Sequence, residues 1–168
     1  VNDRPVPWSE GPEIAWGDPG PLRGGKASSY EAGPRVPCLV KWPGQVPAGR
    51  VNDAIFATLD FMPTFAHLCG FELPDDRVID GVNQTALLLG ESEEGNRDTY
   101  FYHSGAHGVR KGLWKLLKAD RWSEKEMERR TYPKDFGTNE VELYHLEKDI
   151  GEATNLAEKH PEIVAELQ

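Results

Sequence analysis

The sequence predicts a chain of mixed helices and strands, in the α+β class, on three observations. The last third, from Thr99 onward, contains short segments rich in Tyr, Val, Leu and Trp that are typical of a small antiparallel sheet. A helical pattern precedes them at residues 60–70, and 17 Gly and 13 Pro among 168 residues indicate long loops. A chain of this length buries about two-thirds of its unfolded surface, which is enough for one core or two small ones.

Net charge and hydropathy exclude several classes of function. The chain has 28 Asp and Glu against 19 Lys and Arg, a net charge of −9. Because nucleic-acid binding needs a basic face, we expect no nucleic-acid partner. No run approaches the roughly 20 apolar residues of a membrane helix, and no leader precedes the first loop, so we expect neither a membrane span nor a signal peptide. Since residue 1 is Val, we interpret the chain as a processed product or a piece of a longer protein.

The first elements are a loop and two short strands. Residues 1–34 lack a periodic apolar pattern and are predicted to be irregular. Residues 35–42 predict a short strand that contains Pro37 and ends at the Pro43-Gly44 turn signal. A second short strand is predicted around residues 55–57.

A buried helix is predicted next, with Asp60 as its N-cap, Pro63 in its first turn and Gly70 as its C-cap. His67 is interpreted as a core histidine on this helix, and Cys38 and Cys69, each in an apolar run, as buried structural thiols. The apolar face of the helix is formed by Phe61, Met62, Phe65, Leu68 and Cys69.

The second half predicts a sheet with helices around it. A turn of helix at residues 84–89 and a polar linker at 91–98 lead into it. Lys111-Gly112 predicts a turn between two strands, the charged run 122–130 has helical composition, and Pro161 begins a last helix. The predicted strands are residues 99–103, 107–110, 113–117 and 141–146.

A glycine-rich loop is the strongest candidate for a functional segment. Residues 20–26 read GPLRGGK, which fits the G-x-x-x-x-G-K core of a nucleotide-binding P-loop. However, Ala27 stands where a P-loop needs Ser or Thr for magnesium, and no hydrophobic strand precedes Gly20. The P-loop interpretation is therefore rejected.

The same loop resembles a different family. Residues 24–37 read GGKASSYEAGPRVP and residues 42–44 read WPG. This pattern resembles the G-K-x-x-x-Y-E-G-G-x-R-V-P and W-P-G stretches of the arylsulfatase-type sulfatases. Similar stretches follow in the order of that family, so that the resemblance covers about residues 20–168: LDFMPT at 59–64, DGV at 80–82, VRKGLWKL at 109–116, ELY at 142–144 and DIGEATNL at 149–156.

The resemblance implies a fold and a domain division. Residues 1–98 would form the C-terminal part of an alkaline-phosphatase-like α/β core with a glycine-rich active-site loop. Residues 99–168 would form a small C-terminal subdomain of antiparallel strands and a packed helix. Such a fragment is expected to expose apolar surface on residues 36–42 and 61–69 that the missing N-terminal part of the protein would cover.

The resemblance also implies a chemistry. Members hydrolyse sulfate esters with a formylglycine made in a C/S-x-P/A-x-R motif, beside a calcium ion held by Asp and Asn. The family lysine equivalent to Lys26 contacts the sulfate, where a fixed ammonium stabilises the anionic sulfuryl oxygens and the leaving oxygen. Lys26 is therefore the predicted catalytic and sulfate-binding residue.

Other parts of the family site are missing or altered in this sequence. Neither cysteine and no serine begins the formylglycine motif, so the isolated chain is expected to be inactive. The calcium-binding Asp-Asn-Gly-Pro stretch falls where Asn2-Asp3-Arg4-Pro5 stands, and Asn2 and Asp3 are the candidate metal ligands. His103, at a strand end near His107, is a candidate substrate contact because an imidazole can bind a sulfated ligand.

Two alternative functions remain at this point. A phosphonate or phosphodiester hydrolase of the same superfamily would share the architecture, and the nucleophile region that distinguishes them is absent. A non-catalytic module that binds a sulfated glycan or a partner protein is the other alternative, although the charge of −9 disfavours a polyanionic ligand. The expected partners of the leading interpretation are a sulfate-ester small molecule or sulfated glycan and the N-terminal part of the same protein.

Overall fold

The computed structural model describes residues 19–25, 28–103, 107–118 and 140–168. The predicted α+β class and the sheet in the last third are confirmed, and the predicted helix at 122–130 lies outside the described residues. None of the described helices is long and apolar enough to cross a membrane. The elements are a 3-10 turn at Thr58–Asp60, α1 at Phe61–Leu68, α2 at Thr85–Leu89, β1 at Thr99–Tyr102, β2 at His107–Lys111, β3 at Trp114–Lys118, β4 at Val141–His145 and α3 at Pro161–Leu167.

The sheet has the strand order β1-β2-β3-β4. Strand β3 pairs antiparallel with both β2 and β4. Lys111 lies opposite Trp114, so a two-residue turn of Gly112 and Leu113 closes the β2–β3 hairpin. Gly112 has a φ of +57°, a left-handed conformation that favours glycine, and the predicted turn is confirmed.

The chain forms two compact units, one combining the segment up to Val36 with Phe101–Gln168 and the other Pro37–Tyr100. In the first unit, a loop residue belongs to the core of the sheet: Tyr30 packs with Leu117, Tyr144 and Leu146. The predicted boundary between domains near residue 98 stays a prediction.

Helix α1 lies in the second unit and ends as predicted. Gly70 follows the C-cap residue Cys69 with a φ of +71°. The Phe71 amide donates to the Ala66 carbonyl at 2.8 Å, and the Gly70 amide donates to the His67 carbonyl at 3.1 Å. These two bonds form a Schellman motif, which satisfies carbonyl groups that a helix end leaves open.

Two predicted strands are absent. Residues 35–42 and 55–57 carry no strand, and Leu39 is 93% exposed. The apolar run at 35–42 resembled a buried strand, but Pro37 lacks an amide donor and no described strand pairs with this segment.

The predicted burial of the cysteines and of α1 is also wrong for this chain. Cys38, Cys69 and His67 are exposed, and Phe65 on the apolar face of α1 is 51% exposed. The residues of α1 that are buried are Pro63 and Thr64. In contrast, the expected exposure of apolar side chains on residues 36–42 and 61–69 is confirmed.

Candidate functional site

The glycine-rich loop in the first unit is folded back on itself. The Ala32 amide donates to the Arg23 carbonyl at 2.9 Å. Gly25 and Ser28 exchange two bonds, from the Ser28 amide to the Gly25 carbonyl at 3.0 Å and from the Gly25 amide to Ser28 Oγ at 3.2 Å. A Cβ at Gly33 would collide with the Ser28 carbonyl oxygen, so this close approach requires glycine. The chain segments on both sides of Lys26 are thus fixed by hydrogen bonds.

A row of polar side chains on the sheet faces this loop. Arg110 on β2, Lys115 on β3 and Tyr144 on β4 lie directly opposite one another in the strand register. Directly opposed residues share one face of an antiparallel sheet. Two loop side chains meet the row: Glu31 approaches Arg110 and Lys115, and Arg23 contacts Tyr144.

Lys115 is the centre of a buried charge network. Its Nζ lies 2.9 Å from Glu31 Oε1 and 2.7 Å from Glu152 Oε1, and the side chains of Lys115 and Glu152 are both fully buried. The contact with Glu152 is a close, fully buried ion pair. Tyr102 donates to Glu31 Oε1 at 2.9 Å, and its ring lies 4.2 Å from Lys115 Nζ. Buried charges are costly unless they are paired. Since Glu31 of the loop pairs with Lys115 of β3, the network holds the loop against the sheet.

The two carboxylates of the network differ in their proton affinity. Burial raises the pKa of Glu31, but Lys115, Tyr102 and Arg110 outweigh this effect and hold its pKa below the usual value. Burial dominates at Glu152 and raises its pKa, against the lowering effects of Lys115 and of the Glu31 amide. Lys115 therefore helps to keep the buried carboxylate of Glu31 in its charged form.

Arg23 anchors the start of the loop. Its guanidinium lies 3.9 Å above the centre of the Tyr30 ring. Its Nη1 donates to Tyr144 Oη at 3.0 Å and to the Glu152 carbonyl at 2.9 Å. Tyr30 in turn donates to Glu142 Oε2 at 3.0 Å. Both ends of the loop are therefore bound to the sheet and to the turn that contains Glu152.

The DIGEATNL stretch shapes that turn. The Asp149 carboxylate accepts from the amides of Ala153 at 3.1 Å and Thr154 at 2.8 Å. Asn155 Oδ1 accepts from the Leu143 amide of β4 at 3.0 Å. These side chains fold residues 149–156 against β4 and so present Glu152 to the loop.

The second unit contains a separate buried ion pair. Asp60 is fully buried and accepts from Arg97 Nη2 at 2.6 Å and Nε at 2.8 Å, and from the amides of Ala57 and Val82 at 2.9 Å each. Although Asp60 occupies the predicted N-cap position of α1, its side chain makes no capping bond to that helix. Instead it joins the LDFMPT and DGV stretches, because it accepts from the Val82 amide. The two stretches also pack closely, since a Cβ at Gly81 would collide with the Leu59 carbonyl oxygen.

Of the predicted site residues, one lies in the described part of the chain. His103 is exposed, and its ring stacks on that of His107 with centroids 4.8 Å apart and planes within 11°. Lys26, Asn2 and Asp3 lie outside the described residues. Within the part that the structure describes, no group of three His, Cys, Asp or Glu could hold a metal ion.

The roles of Lys115 and Glu152 are not predicted by the sequence motifs. A signal for Lys115 was available in the period of two along β3, which places it on the same face as the core residue Leu117. No pattern in the sequence pairs Lys115 with Glu31, 84 positions away. The arrangement restrains the loop on both sides of Lys26, and the side chains of Glu31, Lys115 and Glu152 are buried.

Comparison with known proteins identifies the family. The family model described as "N-sulphoglucosamine sulphohydrolase, C-terminal" matches residues 25–168. Arylsulfatase G of Rattus norvegicus is 31% identical over 172 residues, covering 93% of this chain and 32% of the relative. The N-acetylgalactosamine-6-O-sulfatase of Bacteroides thetaiotaomicron is 31% identical, covering 88% of this chain and 29% of the relative. The chain thus spans about a third of these two relatives.

Solved structures share the fold. One, from a study of the metabolism of multiple glycosaminoglycans by Bacteroides thetaiotaomicron, has a TM-score of 0.74 and 31% identity, covering 88% of this chain and 30% of the other. Another, Ps i-CgsB in complex with k-i-k-neocarrahexaose, has a TM-score of 0.68 and 27% identity over the same shares. The expected fold is confirmed, and the chain belongs to the sulfatase family, in which it corresponds to the C-terminal portion.

Proposed function

We propose that this chain is part of an enzyme that hydrolyses sulfate esters, to which it contributes a sulfate-contacting lysine, Lys26, and a small subdomain that shapes the substrate pocket. The observation that carries the proposal is the family match, which begins at residue 25 and runs through residue 168. The matched relatives are sulfatases, and the two alternative functions are not carried forward.

The proposed role of Lys26 follows from the charge of a sulfate ester. The sulfuryl oxygens are anionic throughout the reaction, and negative charge develops on the leaving oxygen as the ester bond breaks. A preorganised ammonium group stabilises this charge more in the transition state than in the ground state. The hydrogen bonds of Gly25 and Ser28 support such a role, because they restrain the chain on both sides of Lys26.

His103 is the proposed second contact to the substrate. It is exposed at the end of β1, and its ring is supported by the parallel ring of His107. An exposed imidazole held in one orientation can donate a hydrogen bond to a sulfate or sugar oxygen. A His103→Ala substitution is expected to raise KM more than it lowers kcat.

The remaining parts of the site are proposed to come from the rest of the protein. These are the formylglycine nucleophile and most ligands of the calcium ion, whose chemistry when bound is to polarise the sulfate group. Asn2 and Asp3 stay candidate metal ligands. The isolated chain is accordingly proposed to lack turnover of its own.

The proposed substrate class is a sulfated sugar or aryl sulfate. The name of one relative specifies an N-acetylgalactosamine-6-O-sulfatase, and one structural neighbour was solved with a neocarrahexaose. A glycan with a sulfate ester combines an anionic group for Lys26 with hydroxyl groups for His103.

The test uses the longer protein that carries these 168 residues, assayed with p-nitrophenyl sulfate and a 6-O-sulfated N-acetylgalactosamine. We expect Lys26→Ala to lower kcat by roughly 100- to 1000-fold, as for other removed transition-state donors. Lys148→Ala, at an exposed lysine of the turn after β4, is the matched control and should retain full activity. Equal activity of the Lys26 variant and the wild type would refute the proposed role.

A further inference from the structure

Glu152 connects both ends of the glycine-rich loop. Its carbonyl oxygen accepts from Arg23 Nη1 at 2.9 Å, and its Oε2 accepts from the Glu31 amide at 2.7 Å. Arg23 and Glu31 are the residues between which the loop closes, since the Ala32 amide also bonds to the Arg23 carbonyl. One residue of the C-terminal segment therefore restrains the entry and the exit of the loop.

The backbone of Glu152 is held in an unusual conformation. Its φ is +52°, and among the described residues it is the only one other than glycine with a positive φ. L-amino acids with a side chain rarely adopt this region, where a glycine would fit without strain. Glutamate at such a position indicates that its side chain supplies something glycine cannot.

Both carboxylate oxygens of Glu152 make contacts, one with the loop and one with the sheet. While Oε2 accepts from the loop amide, Oε1 lies 2.7 Å from Lys115 Nζ on β3. Lys115 also binds Glu31, so the carboxylates of Glu31 and Glu152 share one buried cation. The network of Glu31, Lys115 and Glu152 thereby joins the loop to the sheet, in addition to the contacts of Arg23 with Tyr144 and of Tyr30 with Glu142.

We propose that Glu152 is a positioning residue for the active-site loop: it fixes residues 23–25 and 28–31 and so restrains the chain on both sides of Lys26, the proposed sulfate contact. The inference rests on the proposed function for its activity readout. Glu152 itself, fully buried, acts through the loop and does not contact the substrate. Small displacements of a contacting group are known to cost large factors in rate, which makes the restraint functionally important.

The test is a double-substitution cycle in the longer protein that carries this chain. Glu152→Gly removes the carboxylate and relieves the positive φ, and Glu152→Gln keeps the shape while removing the charge. We expect Glu152→Gly to lower kcat/KM for p-nitrophenyl sulfate roughly 10- to 100-fold, and Glu152→Gln to lower it less. In the Lys26→Ala background, Glu152→Gly should cause no further loss. Glu158→Gln, at an exposed glutamate of the same segment, should match the wild type.

Hydrogen exchange at the amides of Gly25, Ser28 and Glu31 provides a second readout, which is independent of turnover. Faster exchange at these amides in Glu152→Gln, with unchanged exchange in β3, is the expected result. An undiminished loss of activity in the Lys26→Ala background, or unchanged exchange in the loop, would overturn the inference. If Lys26→Ala alone leaves the activity intact, the proposed function fails, and the exchange result still decides whether Glu152 fixes the loop.

Discussion

At the scale of single residues, the Asp60–Arg97 pair is the clearest case of a motif residue with a structural role. The Asp60 side chain is fully buried and is held by two nitrogens of Arg97 and two backbone amides. Loss of the arginine would leave the buried carboxylate without its cation. Asp60 of the LDFMPT stretch thus has a structural role: it joins the start of α1 to Val82 and Arg97 within the second unit.

We expect Arg97→Met to lower the free energy of unfolding by about 3–5 kcal/mol, the usual cost of removing one partner of a buried ion pair. Arg77→Met is the control, because Arg77 forms its ion pair with Asp76 at the exposed surface and should leave the unfolding midpoint unchanged. Urea unfolding of the three proteins measures both effects. Similar midpoints for the two variants would contradict the structural role of Asp60.

The same pair predicts a pH dependence. Burial raises the pKa of Asp60, but the bonds from Arg97, Val82 and Ala57 outweigh this effect and hold its pKa below the usual value. Because the folded-state pKa is depressed, the stability from the pair is present above the unfolded pKa of about 4 and is lost as the pH falls through the folded pKa. The stability gap between the wild type and Arg97→Met should therefore shrink below about pH 4. Urea unfolding on either side of this pH measures the gap, and a gap that widens in acid would contradict the prediction.

At the scale of elements, the DGV stretch packs closely on the start of α1, and this packing allows a test by substitution. A Cβ at Gly81 would collide with the Leu59 carbonyl oxygen and lie 3.0 Å from Pro63 Cδ. Because the backbone cannot move aside as a flexible side chain can, Gly81→Ala is expected to destabilise the protein by about 1–3 kcal/mol. Gly25→Ala is the control for stability, since a Cβ there meets no atom within 4 Å. Thermal denaturation compares the Gly81→Ala and Gly25→Ala variants. Equal melting temperatures would show that the backbone around Gly81 can shift to accept a Cβ at little cost.

The sequence predicts the elements of the last third better than those of the first. Aromatic and branched residues marked all four strands, and Lys111-Gly112 marked a turn whose backbone needs a positive φ. At residues 35–42 the same kind of apolar run predicted a strand that is absent, because pattern alone does not supply a partner for its backbone. Lys115 was missed for a related reason: lysine is almost always exposed, and its two counter-ions are distant in sequence.

At the scale of the whole molecule, the described part of the chain exposes many large apolar side chains. Leu39 is 93% exposed, Phe71 is 72% exposed, and Val36, Val51 and Val78 are also largely exposed. Large exposed apolar side chains in such number favour contacts with other protein surface. The relatives extend well beyond the matched region, with about two-thirds of arylsulfatase G outside it. We expect these side chains to be covered in the longer protein.

Lysine substitutions at Leu39 and Phe71 should have a favourable effect in the isolated chain and an unfavourable effect in the longer protein. In the isolated 168-residue chain, Leu39→Lys with Phe71→Lys removes two exposed apolar side chains, so association should decrease and the monomer fraction rise. In the longer protein the same change places two charges against packed surface, and the melting temperature should fall. Glu72→Lys, at an exposed position, controls for the change in charge. Light scattering reports the first effect and thermal denaturation the second. An unchanged melting temperature in the longer protein would mean that these side chains face solvent there as well, and that the apolar surface of this chain serves another partner.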